Sequence, residues 1–296
     1  MSVLQSVSRL FGRRLSRKID LSKHYELNKI PIKASTSIVH VAIDKSTRLK
    51  YALKIIDPAK TAAIRNRFQT MPFPSEGLIQ QQFQPVSEIV TVHQTGRTMQ
   101  DQEFIVMDWI DGPTLDQLAL PEEYDKLPNR ISLMLQMARA LEAVHKQGFV
   151  HRDICPRNFL LSKDLRNVKL FDFGLTIPDR DAYSNHTSRS GTPEFLAPEI
   201  VRRRPCDKRV DLFAFGVTLY QMFAGHHPWG TVESNSRAAL VHDSRVATDI
   251  REHRPKLNPR LVKVIHRCLE INVDQRMPNL KNFLAQSSDI KKEFGD

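Results

Sequence analysis

The order of the secondary-structure patterns constrains the fold of this chain more than any other feature of its sequence. Two β-rich runs, residues 37–43 and 49–56, lie near the start of the chain and are joined by a turn-forming segment. After Asp111 the pattern becomes mainly helical, and residues 129–147 carry apolar side chains at helical spacing. Strands followed by helices predict an α+β fold, with a small β-rich lobe and a larger α-helical lobe.

Shorter elements complete the predicted first lobe. Two helices and then two strands are expected at residues 59–70, 76–83, 89–93 and 103–109. Two prolines within residues 71–74 separate the helices, because proline interrupts the helical hydrogen-bond ladder.

The length of 296 residues suits one two-lobed domain. We predict an N-terminal extension at residues 1–24, a domain at 25–285 and a C-terminal tail at 286–296. The lobes of the domain are placed at about 25–110 and 111–285. Apolar residues make up 41% of the chain, which allows a sizeable core and argues against global disorder.

Other classes of protein are disfavoured by composition. No apolar stretch approaches the roughly 20 residues needed to cross a bilayer, and the N-terminus lacks the apolar run of a secretory signal. Three scattered cysteines are too few for a disulfide framework or a zinc site. A reducing cytoplasm is therefore the expected location.

The chain is strongly basic, with 44 Lys and Arg against 33 Asp and Glu. This excess favours acidic partners, although it would also serve solubility alone. Zinc-finger spacing and RNP-like aromatic motifs are both missing from the sequence, which argues against nucleic acid as a partner.

Residues 1–19 form a separate basic segment with several arginines and no acidic residue. Their apolar residues recur at roughly helical spacing, so the segment could lie on an anionic membrane surface or bind an acidic partner. Its Ser and Arg content also fits an organellar import signal. A helical extension packed on the domain, or a frayed tail, is the third interpretation.

Four short motifs carry the chemistry of the chain. They are Tyr-Ala-Leu-Lys at 51–54, His-Arg-Asp followed by Asn at 151–158, Asp-Phe-Gly at 172–174 and Ala-Pro-Glu at 197–199. In this order they resemble the protein kinase family, and the similarity extends from about Tyr25 to about Phe283. The resemblance implies the bilobal protein kinase fold.

The resemblance also implies roles for the charged residues of these motifs. Asn158 and Asp172 would hold Mg²⁺ at the phosphates of ATP, because a hard cation prefers oxygen ligands. Asp153 would orient the substrate hydroxyl and accept its proton. Lys54 would bind the α- and β-phosphates and would need a buried glutamate partner. We expect Glu76 in that role, with Glu88 as the alternative.

The adenine pocket of the family maps onto further positions of this sequence. The resemblance places Val39, Ala52 and Leu160 around the base and Met107 behind it. Backbone hydrogen bonds to the base would come from the hinge, at Asp108 to Ile110.

The nucleotide loop departs from the family pattern. Its three glycine positions are occupied by Ile32, Ala34 and Ser37, and no glycine occurs between Gly12 and Gly77. If these residues were forced into left-handed conformations, nucleotide affinity would fall. If the loop follows an ordinary extended path, it would only clamp the nucleotide less closely.

The catalytic loop departs from the family as well. Cys155 stands where serine/threonine kinases usually carry a lysine, and Arg157 could supply the missing positive charge. The alternative is that Arg157 is a solvent-facing residue. Cys155 is either a reactive thiol, activated by nearby cations, or an inert small residue.

The segment at 191–199 resembles the serine/threonine pattern, in which the Thr192 hydroxyl bonds the catalytic aspartate. Arg152 resembles the arginine that receives an activation-loop phosphate, with Thr187 and Ser188 as candidate acceptors. Phosphorylation of Ser188 would then raise activity.

Three charged positions in the second lobe extend the resemblance. Asp211 resembles the helix residue that braces the catalytic loop, and Arg276 resembles the partner of Glu199. The run Arg202-Arg203-Arg204 could attract acidic substrates or be an ordinary exposed turn.

The function expected from the resemblance is a serine/threonine kinase that transfers the γ-phosphate of Mg-ATP to a protein hydroxyl. The alternative is a pseudokinase scaffold, in which the glycine-free loop and the missing lysine prevent useful transfer. A small-molecule phosphotransferase of related fold fits less well, because the peptide-positioning Ala-Pro-Glu segment is present.

Overall fold

A computed structural model of the protein describes residues 18–34, 36–65, 75–180, 189–230 and 245–294. The chain divides into two compact units between Ile110 and Asp111. A β-sheet dominates the first unit and helices dominate the second, so the predicted α+β class and order of lobes are confirmed. Within the described ranges, no helix is both long enough and apolar enough to span a membrane. The basic segment predicted at residues 1–19 falls outside these ranges up to residue 17.

The first unit is built on a seven-stranded sheet. Its strands are β1 (Lys18–Ile19), β2 (Tyr25–Leu27), β3 (Ile32–Lys33), β4 (Ser37–Asp44), β5 (Lys50–Ile56), β6 (Val92–Thr98) and β7 (Glu103–Asp108). The strand order is β1-β6-β7-β5-β4-β2, with β3 also paired to β4. Neighbouring strands are antiparallel except β1, which runs parallel to β6.

One face of this sheet forms a hydrophobic core. The strands contribute Ala42, Leu53, Phe104 and Val106, which are almost fully buried. Leu21, which lies between β1 and β2, and Tyr25 of β2 belong to the same cluster. Side chains alternate between the two faces of a strand, so the neighbouring residues of β5 and β7 point to the opposite face.

Three helices accompany the sheet, α1 (Leu21–His24), α2 (Pro58–Arg65) and α3 (Glu76–Gln81). The predicted helix at 59–70 matches α2 as far as Arg65, and its remainder falls outside the described ranges.

The strand predicted at 89–93 was misplaced. The strand β6 begins at Val92 and continues to Thr98. Its polar residues His93, Gln94 and Arg97 lie at exposed or half-buried positions, so the apolar run that precedes the strand gave a stronger but misleading signal.

The second unit is mainly helical. Its helices are α4 (Arg130–Lys146), α5 (Pro198–Val201), α6 (Arg209–Ala224), α7 (Pro259–Cys268) and α8 (Leu280–Ser287). Short 3₁₀ turns lie at Leu115–Gln117, Pro121–Lys126, Pro156–Asn158, Pro193–Phe195 and Ile250–Glu252. Two small antiparallel pairs join β8 (Phe149–Val150) to β11 (Ile177–Pro178) and β9 (Phe159–Leu161) to β10 (Val168–Leu170). The long helix predicted at 129–147 is confirmed as α4.

Helix α6 is the central element of this unit. Almost every side chain from Val210 to Ala224 is buried, which explains why the helix is apolar on all sides. The helix ends at Gly225, whose positive φ of 74° is a conformation that glycine adopts without steric cost.

A buried ion pair ties the start of α5 to the segment before α8. Arg276 Nη1 lies 2.6 Å from Glu199 Oε1, and Nη2 lies 2.9 Å from Oε2. The same guanidinium donates to the carbonyls of Glu270 and Arg209. All described hydrogen-bond partners of this fully buried arginine are oxygen acceptors, which offsets the cost of burying its charge. The pairing of Arg276 with Glu199 is present as the resemblance implied.

The last described residues pack against the second unit. Ile290 is buried, and the amide of Asn258 donates to the carbonyl of Glu293 at 2.9 Å. An isolated bridge between Leu257 and Phe294 continues this contact.

We expect Glu199→Gln to lower the free energy of unfolding by about 3–5 kcal/mol, because the buried guanidinium of Arg276 would lose its countercharge. Urea unfolding followed by fluorescence measures the loss. Glu26→Gln is the matched control, since Glu26 pairs with Arg48 on the surface and should change stability by less than about 1 kcal/mol. Equal losses in the two variants would contradict a structural role for the buried pair.

Candidate active site

Lys54 and Glu76 form a buried ion pair in the first unit. Lys54 Nζ lies 2.7 Å from Glu76 Oε1, and the two side chains are 6% and 8% exposed. Lys54 comes from β5 and Glu76 is the first residue of α3. The alternative partner, Glu88, accepts a hydrogen bond from the Ser87 hydroxyl. Of the two carboxylates considered, Glu76 is the one placed at the lysine.

A glycine that sequence reasoning overlooked allows α3 to approach the sheet. A Cβ atom added at Gly77 would collide with Thr95 Oγ1 and would lie 2.9 Å from Thr95 Cβ. The helix therefore packs closely on β6 only because residue 77 has no side chain. A glycine directly after the candidate glutamate, inside a predicted helix, was the available signal.

The remaining predicted nucleotide residues of the first unit share one face of the sheet. Val39 pairs with Lys54 across β4 and β5, and Ala52 pairs with Met107 across β5 and β7. Directly paired residues and residues two apart point to the same face, so all four side chains lie opposite the hydrophobic core.

The end of β7 and the strand β9 hold the other adenine candidates. Asp108 closes β7, and its Oδ1 lies 2.6 Å from His93 Nε2. Ile110 is the last residue of the first unit. Leu160 belongs to the second unit, where it is half-buried and pairs with Lys169 of β10.

The glycine-free loop follows an ordinary path at the candidate positions. Neither Ile32, Ala34 nor Ser37 has a positive φ, whereas other non-glycine residues of the described chain do. Ile32 lies in β3, Ser37 begins β4, and Ala34 N donates to Ser37 O at 3.0 Å. The described part of the loop therefore avoids the left-handed strain that was one of the two expectations.

The catalytic loop of the second unit is anchored by a buried carboxylate. Asp211 of α6 accepts hydrogen bonds from the backbone amides of His151 and Arg152, each at 2.8 Å. His145 Nε2 lies 2.8 Å from its Oδ2. Burial opposes ionisation of Asp211, but these hydrogen bonds and the nearby histidines hold its pKa below the ordinary value. Asp211 thus braces the loop as the resemblance implied, and His145 is a partner that the sequence did not single out.

Asp153 is the centre of the hydrogen-bond network in this loop. Its Oδ1 accepts from the amide and the hydroxyl of Thr192, at 2.9 and 2.8 Å. Asn158 Nδ2 donates to the backbone carbonyl of Asp153 at 2.6 Å and to its Oδ2 at 3.1 Å. The bond between Thr192 and Asp153 expected from the resemblance is therefore present.

Arg157 joins this network from the same loop. Its Nη2 donates to Thr192 Oγ1 at 3.2 Å, although most of the side chain is exposed. The guanidinium is thus two hydrogen bonds away from Asp153. This position combines a contact to the site with an open, solvated charge.

Cys155 faces away from solvent. It is 1% exposed, and its Sγ lies 3.8 Å from Thr192 Oγ1. Burial raises the pKa of Cys155 to about 12. The inert interpretation of this residue therefore fits the geometry better than the reactive one.

The backbone at Asp172 lies close in space to Asn158. The amide of Phe171 donates to the carbonyl of Asn158 at 3.1 Å, and Asp172 follows directly. Asp172 has a left-handed φ of 64°, and its Oδ1 accepts from the amide of Gly174 at 3.4 Å. Left-handed backbone at a non-glycine residue is uncommon and is concentrated at functional sites.

The regulatory candidates are only partly described. Arg152 is buried, has a left-handed φ of 68° and follows His151, whose ring packs edge-on against Phe173 at 4.9 Å. Thr187 and Ser188 lie outside the described residues.

Two features together define the class of this protein. One unit is a β-sheet with a buried lysine–glutamate pair, and the other is helical, with Asp153, Asn158 and Thr192 gathered at one loop. This is the set of parts typical of a protein kinase.

Comparison with known proteins shows the same family. The family model of the protein kinase domain matches residues 33–287, which is most of the chain. The chain therefore belongs to the protein kinase family.

Individual relatives are similar at moderate identity. A probable serine/threonine-protein kinase of Clostridium acetobutylicum is 27% identical over 93% of this chain and 41% of its own length. Serine/threonine-protein kinase PknB of Mycolicibacterium smegmatis is 28% identical over 86% of this chain and 41% of its own. Calcium/calmodulin-dependent protein kinase type II of Caenorhabditis elegans is 32% identical over 70% of this chain and 28% of its own length. The chain spans less than half the length of these relatives.

We expect Cys155 to resist alkylation in the folded protein. With a pKa of about 12, only about one thiol in ten thousand is ionised at pH 8, and the sulfur is also buried. Iodoacetamide labelling with peptide mapping should modify Cys155 only after unfolding in urea. The half-buried Cys206 is the internal reference. Labelling of Cys155 at the rate of the unfolded chain would show that the thiol is accessible and activated.

Proposed function

We propose that this chain is an active protein serine/threonine kinase that transfers the γ-phosphate of ATP to a hydroxyl of a protein substrate. The observation that carries the proposal is the network at Asp153, in which one carboxylate oxygen is held by Thr192 and the other faces Asn158. A scaffold without catalysis would not need this carboxylate to be oriented by two separate segments.

Asp153 acts as the catalytic base in this proposal. Its Oδ1 is occupied by two donors from Thr192. Its Oδ2 is contacted by a single amide hydrogen of Asn158 among the described residues, at 3.1 Å. Oδ2 is therefore the atom that would accept the hydroxyl proton, while the bonds at Oδ1 fix the orientation of the carboxylate.

The residues present fit a magnesium-bound nucleotide. The amide nitrogen of Asn158 is committed to Asp153, which leaves its oxygen as the atom that would ligate a cation. The carboxylate of Asp172 is the second hard oxygen donor, and Lys54 carries a positive charge fixed by Glu76. Bound Mg-ATP would supply the phosphoryl group, and the cation would neutralise negative charge on the phosphates.

Arg157 is proposed to replace the positive charge of the missing lysine. Cys155 is buried and neutral, so it provides no charge at the position where the family usually has lysine. Arg157 contacts Thr192 and most of its side chain is exposed, which suits a side chain that also reaches an incoming phosphate.

Serine and threonine are the proposed acceptors. The segment at 191–199 carries the serine/threonine pattern, and Thr192 makes the bond to Asp153 that this pattern requires. The relative from Clostridium acetobutylicum is named as a probable serine/threonine kinase, and the one from Mycolicibacterium smegmatis is named as a serine/threonine kinase. Both observations support serine or threonine over tyrosine as the acceptor residue.

We expect the chain to transfer labelled γ-phosphate from Mg-ATP to itself or to a generic protein, and Asp153→Ala to lower the rate by about 10²–10⁴-fold. The loss would follow from removing the proton acceptor. Phosphoamino acid analysis of the products should show phosphoserine and phosphothreonine.

The matched control is Asp164→Asn, because Asp164 is an exposed turn residue of the same unit that bonds Ser162. This control should retain wild-type transfer. Silence of the wild-type chain at millimolar ATP would refute the proposal and favour the scaffold, and phosphotyrosine as the main product would refute the acceptor class.

Arg157→Ala should lower kcat by about 10–100-fold, because it removes the positive charge proposed to replace the missing lysine. Each factor of ten corresponds to about 1.4 kcal/mol of transition-state stabilisation. Arg157→Lys, which keeps the charge without the planar fork, should recover part of the loss. Steady-state kinetics with ATP and peptide varied in turn separate the effect on kcat from that on KM. Wild-type kcat in Arg157→Ala would show that the arginine is only a solvent-facing residue.

A further inference from the structure

An exposed arginine turn, defined as Arg202–Arg204, follows directly after α5. All three side chains are exposed, but the backbone is fixed by hydrogen bonds. The amide of Arg202 donates to Pro198 O at 2.9 Å, and the amide of Arg204 donates to Glu199 O at 2.9 Å. The three charges therefore project from a defined turn.

The arginine turn is connected to the residues around Asp153 by a short chain of contacts. Arg189 Nη2 donates to Val201 O at 2.6 Å, and its Nε donates to the same carbonyl at 3.0 Å. This bond joins the start of the segment that contains Thr192 to the residue just before the turn. Thr192 in turn bonds Asp153. The turn and the acceptor site are thus parts of one hydrogen-bonded segment.

The positive charge of this segment is poorly compensated within the second unit. Glu199 is already paired with Arg276, and Asp207 is paired with Arg209 at 2.9 Å. Across the part of the chain that the structure describes, no carboxylate lies within ion-pair distance of Arg203 or Arg204. Glu194 is the remaining acid of the segment, and it is a single charge against Arg189, Arg203 and Arg204.

From this charge imbalance we infer that the arginine turn binds acidic residues of the protein substrate. The inference rests on the proposed kinase function and adds the class of substrate that the site selects. The exposed guanidinium of Arg157 extends the same sign of charge to the immediate neighbourhood of Asp153. A substrate with Asp or Glu near its acceptor serine would therefore meet positive charge at both places, whereas a basic substrate would be repelled.

A protein segment fits this surface better than nucleic acid. The basic residues flank a site built to receive a hydroxyl. Recognition of single-stranded nucleic acid usually adds aromatic side chains on which bases stack. The arginine turn itself contains no aromatic residue.

The first experiment compares three serine peptides of equal length whose flanking residues are acidic, neutral or basic. We expect the acidic peptide to have the highest kcat/KM. Each exposed ion pair changes an affinity by a factor of about 1.5 to 5. The double charge reversal Arg203→Glu and Arg204→Glu should therefore lower the ratio of kcat/KM for the acidic peptide to kcat/KM for the neutral peptide at least about fivefold. Arg260→Glu is the matched control, because Arg260 is an exposed arginine of α7 in the same unit and should leave the ratio unchanged.

A binding measurement keeps the inference testable without turnover. Fluorescence anisotropy of the labelled acidic peptide should show tighter binding to the wild type and to Arg260→Glu than to the doubly reversed variant. Raising the salt concentration should reduce this difference, because exposed charges are screened. Far-ultraviolet circular dichroism confirms that each variant is folded.

Several outcomes would overturn the inference. Equal kcat/KM for the three peptides, or an unchanged ratio in the doubly reversed variant, would show that the turn does not read substrate charge. Tighter binding of a single-stranded oligonucleotide of equal charge would assign the surface to nucleic acid instead. If no peptide is phosphorylated but the acidic peptide still binds through the turn, the proposed activity fails and the docking inference stands.

Discussion

Asp211 accepts two backbone amides and faces a histidine while it is almost completely buried, and the geometry around Asp153 depends on this arrangement. Hydrogen bonds to a charged group contribute about 1.5–3 kcal/mol each, which is enough to hold Arg152 in its left-handed conformation. That conformation turns the chain immediately before Asp153. A charge on the central helix thus fixes the direction of a loop far away in sequence.

The network that begins at Asp211 ends at two residues that differ from the usual pattern of the family. The Thr192 hydroxyl donates to Asp153 and accepts from Arg157, and the Thr192 amide also donates to Asp153, so the loop and the later segment are held together at this one residue. Cys155 packs beneath this hydroxyl as a neutral side chain. We propose that the charge that lysine would provide is supplied two residues along the chain by Arg157, at an exposed position. Under the proposed function, this exchange keeps a positive charge beside the acceptor and leaves Cys155 a packing role.

Much of this arrangement could be predicted from the sequence because the charged motifs are short and local. The strand with Lys54, the long helix α4 and the partner Glu76 follow from periodicity and from the family resemblance. The start of β6 could not be placed, because a strand with one polar face lacks a continuous apolar run. Gly77 and His145 were overlooked for a different reason. Their importance lies in tertiary contacts with Thr95 and Asp211. A glycine inside a predicted helix signals a close approach without identifying the partner, and His145 leaves no local pattern at all.

The glycine-free loop shows how a missing motif can be compatible with the rest of the site. Glycine is required where the backbone takes positive φ, and none of the residues at the three glycine positions takes that conformation. Under the proposed function, the expected cost of losing glycine is a looser approach to the nucleotide, not strain in the fold. The charges proposed to act on the phosphates, Lys54, Asn158 and Asp172, are held by contacts outside this loop. Because charge neutralisation and positioning dominate phosphoryl transfer, the loop affects how tightly the nucleotide is held more than whether transfer is chemically possible.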